Sequence, residues 1–282
     1  MSRVNLETDV VALSGGYTRG RRAMDTVIIA LFFVLEAFVL FRAWSFITEN
    51  PIVSLVISFL GYVAADFTSG LVHWIGDTWG NPSLPIVGQY FIRPFREHHV
   101  DQTAITRHDF TETNGANCLA TMVVLLPTIV LLYGSSSPTI LGFHLFAFAM
   151  TMGVFGTNQF HKWSHLPAER RPAVIRWLQS SGLILGVEHH AKHHAAPHDT
   201  YYCITVGWLN PILAKFKFFQ ITERIITKLT GIIPRKNDIV LTANKAVATV
   251  GEVFDGVKEG VTGAIDGVED VIKSSRKTSS HA

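Results

Sequence analysis

Residues Ile52–Ile75 read IVSLVISFLGYVAADFTSGLVHWI. A hydrocarbon core is crossed by about 20 helical residues, and this run reaches that length with Asp66 as its one acid. His73 stands near its end. The stretch therefore predicts a membrane-spanning helix that carries an imidazole to the membrane surface.

Three further apolar runs lie around it. Met24–Ile47 precedes it, contains Glu36, and stops near Arg42, Glu49, Asn50 and Pro51. A polar segment, Gly76–Asn117, follows. Cys118–Tyr133 is the third run, broken at Gly134–Pro138, and Thr139–Gly156 is the fourth. The last two are short for spans, and buried helices of a soluble protein are the alternative. Four such runs in close succession favour the membrane. Composition agrees: 48% of residues are hydrophobic and 16% charged, where soluble domains carry about 25% charged, and the mean hydropathy is +0.28. The expected fold is all-α, an integral membrane bundle of about four transmembrane helices with a histidine-rich helical cap on the cytoplasmic side.

Charge sets the expected topology. The links between runs one and two and between three and four are very short, and only Arg42 of the 24 Lys and Arg residues lies near them. By the positive-inside rule both termini face the cytoplasm. A net charge of +2 excludes an electrostatic case for nucleic acid. Cys118 and Cys203 are too few for a disulfide framework. Glu7 and Asp9 interrupt the first residues, so no signal peptide is expected. The chain divides into a cytoplasmic segment 1–23, a membrane domain 24–233, and a tail 234–282 that is amphipathic or flexible.

The histidines define the chemistry. Seven of thirteen fall between Asn158 and Asn210: His161, His165, His189, His190, His193, His194 and His198. Upstream stand His73, His98, His99, His108 and His144, and His281 lies alone near the end. Neutral imidazole is the commonest metal ligand. The pairs His161/His165, His189/His193 and His190/His194 are each four apart, so on a helix each shares one face. With the doublet His98–His99 they offer more nitrogens than one tetrahedral ion uses, which points to two metals. Such ligands suit iron, zinc, copper or nickel and do not suit calcium or magnesium. All of these residues except His144 fall on the side of the predicted spans assigned to the cytoplasm.

Three other stretches carry weaker patterns. Ile175–Val187 is apolar but too short to span, and reads as a helix lying in the interface. Tyr201–Phe219 is aromatic-rich, and Lys215 and Lys217 could snorkel from it. A packed helix is the alternative for both. Val247, Val250, Phe254, Val257, Val261, Ile265, Val268 and Ile272 recur at helical steps, so Asn244–Lys273 reads as an amphipathic helix weakened by five glycines.

The blocks HWIGDTWG (His73–Gly80), FREHHVDQTAITRHDFTETNG (Phe95–Gly115), NQFHKWSH (Asn158–His165) and EHHAKHHAAPHDTYYCITVGWLN (Glu188–Asn210) resemble the membrane lipid-desaturase family. That family includes the plasmanylethanolamine desaturases and a plastid palmitate desaturase, and the chain length is most similar to the bacterial members. The resemblance covers about Thr26–Ile233. It implies a di-iron oxidoreductase that converts an alkyl ether phospholipid of the bilayer to a vinyl ether lipid, a plasmalogen, with O2 as co-substrate and two electrons from a donor. It implies metal ligands at His73, His98, His99, His161, His165, His190, His193 and His194, with His189 joining them. Asp77, Asp101, His108, His198 and Asp199 are candidates for extra ligands or supports. No cytochrome b5-like or ferredoxin-like segment is visible, so a separate protein of that kind would deliver electrons. Arg93, Arg96, Arg107 and Lys162 could meet the lipid phosphate. The bacterial inner membrane is favoured over the endoplasmic reticulum. An acyl-lipid desaturase or hydroxylase with the same site, or a non-enzymatic membrane metal-handling or sensor protein, are the competing readings.

Overall fold

The computed structural model describes residues 17–79, 87–92, 94–95, 98, 101–195, 198–234 and 258. Among them the chain is all-helical. Four long helices dominate: α1 (Arg19–Glu49), α2 (Pro51–Trp79), α3 (Phe110–Leu132) and α4 (Pro138–Ser164). Each is long and apolar enough to cross a membrane. Their outward faces expose large apolar side chains, among them Val27, Phe41, Leu55, Val123 and Leu131. Bilayer lipid is the solvent that suits such a surface.

Local chemistry fixes the helix ends. Thr18 Oγ1 accepts from the Arg21 amide and starts α1. Asp109 Oδ1 accepts from the Thr111 and Glu112 amides, both at 3.0 Å, and starts α3. Ser137 caps α4 with Pro138 in its first position. These are the orphan donors that an N-cap satisfies. The helices therefore outrun the apolar runs. The expected polar segment Gly76–Asn117 is shorter than its composition suggests, because α2 continues to Trp79 and α3 begins at Phe110. The polar residues inside α3 satisfy themselves: Thr113 Oγ1 and Asn114 Nδ2 bond the carbonyls of Asp109 and Phe110 one turn back.

Packing places α4 at the centre, against α1, α2 and α3. Small residues bring α2 and α4 close. A Cβ on Gly61 would stand 2.7 Å from the Phe146 carbonyl oxygen, and one on Gly153 would stand 2.6 Å from the Ala65 Cβ. Close backbone approach of this kind is how helices associate where lipid offers no hydrophobic drive. Phe32, Val39, Cys118, Met122 and Leu125 form a buried cluster between α1 and α3. Arg42 Nη2 donates to the Ser135 carbonyl at 2.5 Å and ties α1 to the turn between α3 and α4.

The remainder forms a cap at the other end, built on short helices α5 (Ala173–Ser180), α6 (Val187–Ala191), α7 (Asn210–Lys215) and α8 (Phe218–Thr230). Two expectations change here. The apolar stretch Ile175–Val187 is helical only to Ser180, since Gly182 takes φ +69° and turns the chain. Residues 201–207 form no interfacial helix. They run as a non-helical strap in which Tyr202, Cys203, Ile204, Thr205 and Val206 are buried. Polar side chains from elsewhere supply the hydrogen bonds that a helix would have supplied itself. Asp66 of α2 accepts the amides of Val206, Gly207 and Leu209 at 2.9, 2.8 and 3.2 Å. Asn210 bonds both the amide and the carbonyl of Cys203. The tail reading of Asn244–Lys273 and the ligand reading of His99 lie outside the described residues, as do Arg93 and Arg96.

Candidate metal centre

Five imidazoles meet between the membrane bundle and the cap. His161 is on the last turn of α4 and His165 is its C-cap residue. His190 lies on α6, which ends one residue later, and His194 follows in the turn. His98 comes from the segment between α2 and α3. Their Nε2 atoms run in a chain of contacts: His98–His161 3.1 Å, His161–His165 3.2 Å, His165–His190 2.9 Å and His190–His194 2.9 Å. One ligand atom from each of the five lies within 4.8 Å of all the others.

Protons do not account for this arrangement. An imidazole Nε2 carries either one N–H or one in-plane lone pair, and the three central nitrogens each face two others. No assignment of donors and acceptors satisfies all four contacts. A cation among them does, because every lone pair then points at it. At about 2.1 Å from each nitrogen, ligands at right angles stand about 3.0 Å apart. The observed 2.9–3.2 Å spacing fits that geometry.

Electrostatics point the same way. Burial, then repulsion from neighbouring imidazoles, holds His98 and His190 well below the usual histidine range. Burial pushes His165 down to about 4, with His73 adding to the effect. All three are therefore neutral at neutral pH, the form that binds metal.

A second group adjoins the first. His73 Nε2 stands 3.1 Å, and His193 Nε2 3.4 Å, from Asp77 Oδ2, and all three residues are buried. His73 Nδ1 donates to the Tyr202 carbonyl at 3.1 Å. His193 Nδ1 donates to the Thr200 carbonyl at 2.9 Å. Each bond fixes the tautomer, leaves an Nε2 lone pair toward Asp77, and orients the ring as supports of ligating histidines do. A lone pair facing a carboxylate oxygen calls for a cation between them. The groups are close: ring centroids lie 6.0 Å apart for His73–His161 and 5.8 Å for His190–His193.

The remaining candidates are placed as follows. His189 joins neither group; its Nε2 meets Asn210 Nδ2 at 3.0 Å and its ring lies against Tyr201. The expected His189/His193 pair is parted because α6 ends at Ala191, so His193 turns to the other face. His198 takes φ +60°, and its Nδ1 donates to the His193 carbonyl at 3.2 Å. Asp199 offers its backbone carbonyl to Gln220. Asp101 pairs with Arg107 at 2.6 Å, and His108 Nε2 lies 3.7 Å from Glu112. Neither belongs to a metal group. Asp66, Asn210 and the carbonyls of Thr200 and Tyr202 went unnoticed in the sequence. An acid inside an apolar run was the one signal, and it marked Asp66 without revealing its partner.

A cavity of about 570 Å3 opens beside the first group, with His161 on its wall. Arg107, His108 and Glu112 lie on it near that end, and Ala120, Val124 and Met150 further along α3 and α4. Such a slot suits a molecule with one polar end and one long apolar end.

Residues 62–237 match the family model described as a lipid desaturase domain. The chain is 46% identical over 241 residues to a plasmanylethanolamine desaturase of Myxococcus xanthus, covering 86% of this chain and 84% of that one. It is 44% identical over 236 residues to plasmanylethanolamine desaturase 1 of Mus musculus, covering 80% and 85%. To the chloroplastic fatty acid desaturase 4 of Arabidopsis thaliana it is 33% identical over 177 residues, covering 63% and 53%. No solved structure matches.

Proposed function

The chain belongs to the lipid desaturase family, and from that premise we propose that it is a plasmanylethanolamine desaturase. It removes two hydrogens from C1 and C2 of the ether-linked alkyl chain. The –O–CH2–CH2– unit becomes –O–CH=CH–, and one O2, two electrons and two protons leave with those hydrogens as two waters. The observation that carries the metal-dependent form of this reaction is the ring of five converging neutral imidazoles beside a lipid-shaped cavity.

His98, His161, His165, His190 and His194 would hold one iron, and His73, Asp77 and His193 the other. Bound there, two irons would supply the O2 activation and hydrogen abstraction that an unactivated C–H bond demands. The protein's own residues do the rest. The Thr200 and Tyr202 carbonyls aim two rings. The buried strap and α2 keep bulk water from that group. The cavity lays the alkyl chain along α3 with its ether end at His161. Electrons come from a separate cytochrome b5-like or ferredoxin-like protein.

The cap belongs at the cytoplasmic surface in this reading, with both termini on that side. Support comes from the basic cluster Arg19, Arg21 and Arg22 at the cap end of α1, and from Arg42 as the lone Lys or Arg near the two short links. The bacterial inner membrane is the favoured location.

The test is mass spectrometry of ether phospholipids, before and after mild acid, from a host that makes alkyl ether lipids but no plasmalogens. The chain should produce acid-labile vinyl ether species. His161→Ala should abolish them, by at least about 100-fold as for loss of a metal ligand, with the protein still present in the membrane. An acyl double bond with alkyl ethers untouched would replace this reading by an acyl-lipid desaturase.

A further inference from the structure

The reaction assigned above fixes where the polar end of the substrate must sit. The carbons that react adjoin the ether oxygen, and only a few covalent bonds separate them from the lipid phosphate. With those carbons at the metal groups, the headgroup must bind at the same end of the cavity as His161. Arg107, His108 and Glu112 line that end. Two cross-links hold it against α4: Lys162 Nζ donates to the His108 carbonyl, and Asn158 Nδ2 donates to the Thr113 carbonyl at 2.9 Å.

The charges there form a pattern. Among the described residues of the cavity wall, the permanently charged side chains are Arg21, Arg107 and Glu112. Arg107 is braced by Asp101 at 2.6 Å and by Thr103 Oγ1 at 3.2 Å, so its guanidinium is held in place at the wall. Glu112 is on the first turn of α3, with its side chain 26% exposed. His108 Nε2 lies beyond hydrogen-bond range of its carboxylate, at 3.7 Å. A wall offering cations and one carboxylate is complementary to a zwitterion. It is not complementary to a headgroup that carries the phosphate charge alone, since the carboxylate would then face an anion with nothing between them.

We propose that Glu112 is the headgroup-selecting residue: its carboxylate takes the primary ammonium of a phosphoethanolamine headgroup while Arg107 takes the phosphate. A primary ammonium has three N–H donors for a carboxylate. A quaternary ammonium has none, and a glycerol headgroup has no cation at all. This assignment rests on the ether-lipid desaturase reading and names the residue that gives it headgroup preference.

The experiment uses the full chain in lipid nanodiscs with a reducing system, supplied with alkyl ether lipids bearing ethanolamine, choline or glycerol headgroups. Wild type should favour ethanolamine. Glu112→Gln should raise KM for the ethanolamine lipid by about tenfold, the loss of one partly desolvated charge pair, with little change in kcat and with metal content retained. Glu112→Lys should turn the preference toward the glycerol headgroup. Because each headgroup ratio is measured within one preparation, a fall in total activity leaves it readable. Unchanged ratios in both variants would overturn the assignment. Failure of wild type to make a vinyl ether from any headgroup would instead bring down the desaturase reading itself.

Discussion

Asp77→Asn is expected to remove one of two bound metals and to lower vinyl ether formation by at least about 100-fold, beyond the loss typical of a supporting residue. Asp77 is buried on α2, and its Oδ2 faces both His73 and His193. The amide keeps the shape of the carboxylate but removes its charge. Two neutral imidazoles and an amide hold a divalent cation far less tightly than two imidazoles and a carboxylate. Elemental analysis of purified protein is the direct measurement: about two metals per wild-type chain and about one in the variant. His189→Ala is the control, since His189 sits against Asn210 and Tyr201, outside both groups, and should keep both metals. If Asp77→Asn retained both metals and most activity, the group of His73, Asp77 and His193 could not be the second site.

Asp66→Ala should destabilise the protein by about 4 kcal/mol, because three backbone amides of the strap lose a charged acceptor at once. The carboxylate is fully buried and receives the Val206, Gly207 and Leu209 amides. No other part of a small side chain could replace it, and water has little access to that position. The effect reaches the metal centre through geometry. The strap carries the Tyr202 carbonyl that orients His73, and the preceding Thr200 carbonyl orients His193. A loosened strap therefore frees the two rings that face Asp77. Thermal unfolding in detergent should show a fall of at least about 10 °C, with partial loss of metal at equal protein. A variant with wild-type melting and full metal content would show that the strap does not depend on Asp66. Asp66→Asn should fall between, since one amide oxygen still accepts while its NH2 opposes the remaining donor.

Much of the bundle was legible in the sequence for a simple reason. A membrane span is specified by local composition: about 20 apolar residues in succession are their own evidence, as Ile52–Ile75 illustrates. The i,i+4 spacing of His161 and His165 is local too, and both stay with one helix end, where their nitrogens meet at 3.2 Å. The spacing of His189 and His193 is the same, yet α6 stops at Ala191 and sends them to different partners. Spacing predicts a shared face only while the helix lasts, and its end is set by what the following residues bury.

The strap was illegible for the converse reason. TYYCITVGWLN (Thr200–Asn210) has the aromatic and apolar content of an interfacial helix. Whether it coils or lies extended depends on partners that satisfy its backbone, and those are Asp66, some 140 residues upstream in chain order, and the side chain of Asn210. The sequence by itself determined that this protein enters a membrane with four apolar helices and that histidines crowd one region. Only the tertiary structure decided how those histidines divide into a group of five and a group of two with Asp77, because that division depends on long-range hydrogen bonds that no local pattern encodes.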